Sequence, residues 1–204
     1  DCLLSRGLGD VYKRQVFVPA MGWQDYNYIK YARVAEEDPN AVVSFHYYLP
    51  MLLSHYKMLA WVGYQGAVQY PGVVIPTQSD ADKYPQYASF HKTTYNADRI
   101  MGEMSNAASD GRNAGLAVHC GEFGCSKNVA EAMRLAWFTD MVAAMEANNI
   151  PWTLWECLDG GFGFVDMEYG IYRINCPLLK VLTGKELTDA EAKALLQKYG
   201  FKTE

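Results

Sequence analysis

The stretch Leu116 to Gly124, Leu-Ala-Val-His-Cys-Gly-Glu-Phe-Gly, constrains this chain more than any other, because an apolar run of strand type ends there in a carboxylate set between two glycines. A charged side chain at the end of a buried strand needs either a partner or a task. A period of two assigns Val118, Cys120 and Glu122 to one face and Ala117, His119 and Gly121 to the other, which makes Glu122 the last residue on its face. Gly121 and Gly124 let the backbone turn and leave room beside the carboxylate. Taken alone, the pattern fits a structural Glu, paired with an arginine or capping a helix, as well as it fits a reactive one.

The rest of the chain supplies elements of the same kind. Val16-Phe17-Val18 reads as a short strand stopped by Pro19 and followed by a loop carrying Trp23. Residues 25–37 read as a helix with Tyr28, Ile29, Ala32 and Ala35 on its apolar face, closed by the turn Asp38-Pro39-Asn40. Residues 41–48 form a β-branched and aromatic strand that puts Ser44, His46 and Tyr48 on one face and Val43, Phe45 and Tyr47 on the other. Residues 49–86 are long, irregular and rich in Gly and Pro, with Trp61 among several Tyr; ordered loops of this length usually serve function.

A helix is expected over about 87–109, ended by Asp110-Gly111 and Gly115. After the Glu122 strand, Asn128 and Glu131 have capping-box spacing, and Val129, Met133, Ala136, Trp137, Met141, Ala144 and Met145 recur at helical spacing as a core stripe. Residues 150–155 make a further strand, and Asp159 to Gly163 turn the chain outward from it. Residues 176–182 read as a short helix, and Thr188 with Glu191 caps a last one. Strand and helix alternate four times, which implies parallel strands joined by crossover helices.

Composition narrows the partners. With 204 residues, 50% of them hydrophobic, the chain buries a core of one or two domains. A net charge of -5 leaves no basic stripe for nucleic acid, and no stretch has the length of a membrane span. Five cysteines, odd and sparse, do not make a disulfide framework. Fifteen Tyr and five Trp supply flat faces with polar edges, which suit a sugar-binding cleft and equally any large core. The first fifteen residues show neither helical periodicity nor the apolar core of a signal peptide and read as an extraneous, adapter-derived head, so the expected domain is 16–204.

In a parallel α/β barrel, catalytic groups gather at the C-terminal ends of strands. His46 and Tyr48 end one strand, Glu122 the next and Trp155 the last. His46-Tyr47-Tyr48, Trp61, Tyr70-Pro71-Gly72, Gly121-Glu122-Phe123-Gly124 and Trp152-Thr153-Leu154-Trp155, in that order, resemble the second half of glycoside hydrolase family 5. That resemblance implies an α/β chain forming the C-terminal half, about four strand-helix units, of a (β/α)8 TIM barrel truncated at its N-terminus. It implies a retaining β-glycosidase of cellulase or endo-β-glucanase type, with a β-linked polysaccharide or oligosaccharide as partner and no cofactor or metal. Glu122 becomes the nucleophile, Tyr48 the hydroxyl that contacts it, His46 a residue lining the cleaved-sugar subsite and Trp155 the floor beneath that sugar. Trp23 and Trp61 stand as outer subsites or as packing residues.

The intact enzyme is expected to be secreted or periplasmic, and a monomer. The family's acid/base Glu belongs to an Asn-Glu-Pro type motif on a fourth strand, and that motif does not occur in this sequence. Parity turns Glu156 away from the face Trp155 uses, so the chain alone is expected to be inactive and, with open sheet edges, marginally stable. Two other readings compete. One is a metal-dependent hydrolase built on His46, Cys120, Glu122 and Cys157, which lacks any paired-ligand spacing. The other is a non-catalytic carbohydrate-binding barrel.

Overall fold

The structure is a computed structural model that describes residues 15–33, 40–58, 63–158 and 160–204. Four strands, β1 (Val16–Pro19), β2 (Ala41–Tyr47), β5 (Ala117–Phe123) and β6 (Trp152–Leu154), form one wholly parallel sheet in the order β1-β2-β5-β6. Two short antiparallel pairs flank it: β3 (Gly72–Val73) with β4 (Thr94–Tyr95), and β7 (Val165–Glu168) with β8 (Ile171–Ile174). The α/β class and the parallel sheet agree with the reading of the sequence. The described residues do not close a barrel.

One face of the sheet is covered by the helices Ala97–Asn113 and Glu131–Ala147. Val43, Phe45, Tyr47, Val118, Cys120 and Phe123 bury themselves on that side, against Ile100, Met104, Trp137, Phe138 and Met141. At Gly111 the helix backbone comes close to the sheet, since a Cβ there would overlap the Val118 side chain. A glycine expected to stop the helix is therefore a contact point inside it. The other face is more open, with Phe17, half exposed, edge-on to His119 and His119 Nε2 3.1 Å from Thr153 Oγ1.

Several local expectations change. The 25–37 segment holds a 3-10 helix, Tyr26–Tyr31, in place of an α-helix, because the Asp25 carboxylate accepts from Asn27 N at 2.8 Å and only Ile29 is buried; residues 34–37 lie outside the described residues. The expected 87–109 helix divides into a 3-10 helix (Pro85–His91), strand β4 and the helix Ala97–Asn113, whose first turn is capped by Asn96 accepting from Arg99 N. Asn128 does not cap the Glu131–Ala147 helix: its amide donates to the Tyr56 and Lys57 carbonyls, and Ala130 holds the cap position. Thr188 and Glu191 do form the capping box of the Asp189–Lys198 helix. No helix among the described residues is long and apolar enough to cross a membrane.

Candidate active site

The decisive local feature is a bulge in β5. Its register against β2 runs Phe45 to Cys120 and then His46 to Glu122, so Gly121 is the extra residue. β6 sees the same insertion, pairing Cys120 with Trp152 and Phe123 with Leu154. The face assignment from strict alternation is thereby corrected. Val118 and Cys120 point to the helices, whereas Glu122 shares the open face with His46 and Gly121. Glycine fits the bulge without displacing its neighbour, since a Cβ at Gly121 would overlap Ser44 Oγ.

The bulge brings the strand-end residues of β2 and β5 together. The Tyr48 hydroxyl donates to Glu122 Oε2 at 2.9 Å, and His46 Nδ1 lies 3.4 Å from the same oxygen. Burial, then the hydrogen bond to Glu122, pushes the Tyr48 phenol well above its ordinary range, so it stays a donor. Burial lowers the His46 pKa, with Glu122 opposing, and keeps the imidazole largely neutral at pH 7. Glu122 side-chain exposure is 29%, enough to meet a ligand from the open face.

Three residues that sequence reasoning did not place in the site complete its wall. His55 packs on Tyr48 with ring centroids 4.9 Å apart, and Phe162 presents its edge to both, at 5.8 Å from Tyr48 and 5.2 Å from His55. Ser54 donates its hydroxyl proton to the Tyr48 carbonyl, so the contact at 2.9 Å between its oxygen and His55 Nδ1 has the imidazole as donor and leaves Nε2 as acceptor. Burial depresses the His55 pKa. The third residue, Arg134, is 4% exposed and binds the loops behind this wall. His55 stood in the sequence only within the irregular 49–86 segment, and Phe162 only as part of a glycine-rich loop.

Trp155 follows β6, is 46% exposed and is anchored by its N–H to the Phe123 carbonyl at 2.9 Å. Trp23 stands fully in solvent after β1, in a turn whose next residues bridge to His46 through Asp25. Among the described residues Trp23, 99% exposed, makes no ring contact or hydrogen bond with the Glu122 cluster, and Trp61 lies outside the described residues. Glu156 tucks beneath Gly160, and its Oε1 is buried with no hydrogen-bond partner among the described residues. Cys120 is wholly buried on the helix side, which removes it from the metal set proposed from alternation, and no cluster of metal-ligating residues occurs among the described residues. A cavity of about 560 Å³ at the opposite strand ends, lined by Leu116, Ala117, Ile150 and Pro151, is remote from Glu122.

Comparison with known proteins gives the family of the chain as a whole. The model for cellulase, glycosyl hydrolase family 5, matches residues 6–161. The chain belongs to glycosyl hydrolase family 5. Endoglucanase C of Acetivibrio thermocellus is 22% identical over 143 residues, which cover 67% of this chain and 39% of that protein; Endoglucanase C307 of Clostridium sp. strain F1 matches equally. A hyperthermophilic endo-β-1,4-glucanase solved with substrate superposes at TM-score 0.63 with 22% identity, covering 87% of this chain and 51% of its own. Cellulose synthase subunit Z of Clostridioides difficile superposes at the same TM-score, covering 84% and 50%. These family 5 neighbours imply the (β/α)8 barrel, and this chain spans 39% of the curated relatives' length and about half of the solved chains.

Proposed function

We propose that this chain carries the nucleophile side of a retaining β-glycoside hydrolase acting on a β-linked glucan of cellulose type. The observation that carries the reading is Glu122 Oε2 held by the Tyr48 hydroxyl at 2.9 Å on the open face of the sheet. The ionised carboxylate attacks the anomeric carbon and forms a glycosyl ester, while Tyr48 and neutral His46 orient the oxygen that does not attack. Trp155 offers an apolar face to the sugar ring, and Trp23 serves further along the glycan.

Expulsion of an ordinary sugar leaving group needs a proton from a second carboxyl about 5 Å from the nucleophile. The Glu122 carboxylate meets a phenol and an imidazole among the described residues, and the acid/base group is assigned to sequence outside this chain. The chain alone is then inactive on natural glycans. The complete protein is secreted or periplasmic, because the polymer cannot enter a cell, and works as a monomer.

An activated substrate tests this directly. 2,4-Dinitrophenyl β-cellobioside needs no acid to lose its leaving group, so the chain should form the glycosyl ester and pass it to added azide as β-cellobiosyl azide, with retention. Glu122→Gln should abolish that product. An α-azide, or a β-azide that persists in Glu122→Gln, overturns the assignment.

A further inference from the structure

Arg134 is the charged side chain in the described core for which the fold and the reaction give no evident use. It sits in the second turn of the Glu131–Ala147 helix with 4% exposure. Its Nε donates to the Cys125 carbonyl at 2.9 Å, and its Nη2 donates to the carbonyls of Phe162 and, at 2.8 Å, Gly163. Asp166 and Glu131 act on it through space, and neither forms an ion pair with it among the described residues. Buried on carbonyls, with the Phe138 ring centroid 5.4 Å away and no carboxylate paired to it among the described residues, the guanidinium gives up solvation for little Coulomb energy. Its value lies in where it holds those carbonyls.

Those carbonyls belong to the two loops that flank the site. Cys125 follows the Glu122 strand, and Phe162 and Gly163 lie between β6 and β7. The same two loops are tied by Lys127 N to the Gly161 carbonyl at 2.8 Å, and Lys127 Nζ reaches the Val165 carbonyl at the start of β7 at 3.0 Å. Phe162, fixed at its backbone by Arg134, presents its ring to both Tyr48 and His55. Tyr48 in turn holds Glu122.

We propose that Arg134 is a positioning residue of the site: by drawing the Cys125, Phe162 and Gly163 carbonyls onto one guanidinium, it clamps Phe162 as the wall that orients Tyr48 and His55 toward Glu122. The planar fork matters, because one ammonium cannot reach three carbonyls spread over two loops with the same geometry. Its meaning for catalysis rests on the reading of Glu122 as nucleophile. Its physical content does not.

The readout is therefore one that needs no sugar. His55 is bounded by Ser54, Tyr48 and Phe162, and its depressed pKa has burial as its cause, so lifting Phe162 lets water reach the ring. In the 204-residue chain, His55 titration and the Phe162-to-His55 ring contact are followed by NMR. Arg134→Met should raise the His55 pKa toward its ordinary value and weaken the ring contact, and Arg134→Lys should do so less. Met141→Ala, which opens a cavity in the core face of the same helix, should lower the melting temperature without moving His55.

If Arg134→Met does not fold, Arg134→Lys and Phe162→Leu decide, since Phe162→Leu keeps the carbonyl clasp and should move His55 in the same direction. A His55 titration that stays at the parent value in the folded Arg134 variants, while melting temperature falls, overturns the proposal whatever Phe162→Leu does. Absence of the azide product would overturn the glycosidase reading and leave the clamp standing.

Discussion

Gly124→Ala is the sharpest steric test of how the site is built. Gly124 follows β5, and a Cβ there would fall about 1 Å inside ordinary contact with the Trp155 carbonyl oxygen. It would also lie 3.0 Å from Phe162 Cδ1 and 3.3 Å from Phe162 Cβ. Neither neighbour is free to yield. The Trp155 N–H is bonded to the Phe123 carbonyl at 2.9 Å, and the Phe162 carbonyl is held by Arg134. The expected cost is at the upper end of overpacking, about 3 kcal/mol. For a chain of this size, about 2–4 °C per kcal/mol gives a fall of roughly 6–12 °C in melting temperature.

Gly102 provides the opposite expectation in the same protein. It lies within the Ala97–Asn113 helix with nothing within 4 Å of an added Cβ, so Gly102→Ala should stabilise by about 0.5–1 kcal/mol. Thermal unfolding followed by circular dichroism reads both variants. Tryptophan fluorescence should report the displaced Trp155 in Gly124→Ala alone. A Gly124→Ala protein that melts with the parent refutes the close packing of the Glu122 loop on Trp155.

Thr188→Ala removes the capping box of the last helix and should cost about 1 kcal/mol, read in chemical denaturation. Tyr47→Phe leaves the half-buried Glu103 carboxylate without the phenol that donates to it, with Arg99 as its remaining partner, and should cost about 1.5–3 kcal/mol in the same assay. His46, His55 and His119 all have pKa values lowered by burial from 6.5, so the unfolded chain takes up their protons first. Their neutral forms favour the fold fully above pH 6.5, and stability is lost as pH falls through the depressed values. His55→Asn should flatten that slope in denaturation midpoints measured across this range, and an unchanged slope contradicts the burial of His55.

Strand ends were legible because the signal is local and redundant. β2 and β5 are largely apolar runs, and His46, Tyr48 and Glu122 stand where such runs stop. Which face Glu122 takes was not legible by counting, because one bulged residue inverts every alternation after it; Gly121 itself was the available signal. Thr188 could be read as a cap because its partner lies three residues away, whereas Asn128 spends its amide on carbonyls some seventy residues distant. The β7–β8 hairpin was missed although Tyr169-Gly170, both at positive φ, is a two-residue turn of the favoured hairpin kind. His55, Phe162 and Arg134 meet only through tertiary packing, and no spacing in the sequence announces them.

The central claim is that Glu122 is the nucleophile, and covalent trapping tests it most directly. 2,4-Dinitrophenyl 2-deoxy-2-fluoro-β-cellobioside carries a leaving group that needs no acid, and its fluorine slows hydrolysis of the ester once formed. Mass spectrometry of the labelled and digested chain should place one fluorocellobiosyl group on the peptide that contains Glu122, with no label in Glu122→Gln. A label on Glu156 or any other residue, no label on the parent chain, or a label that persists in Glu122→Gln contradicts the account.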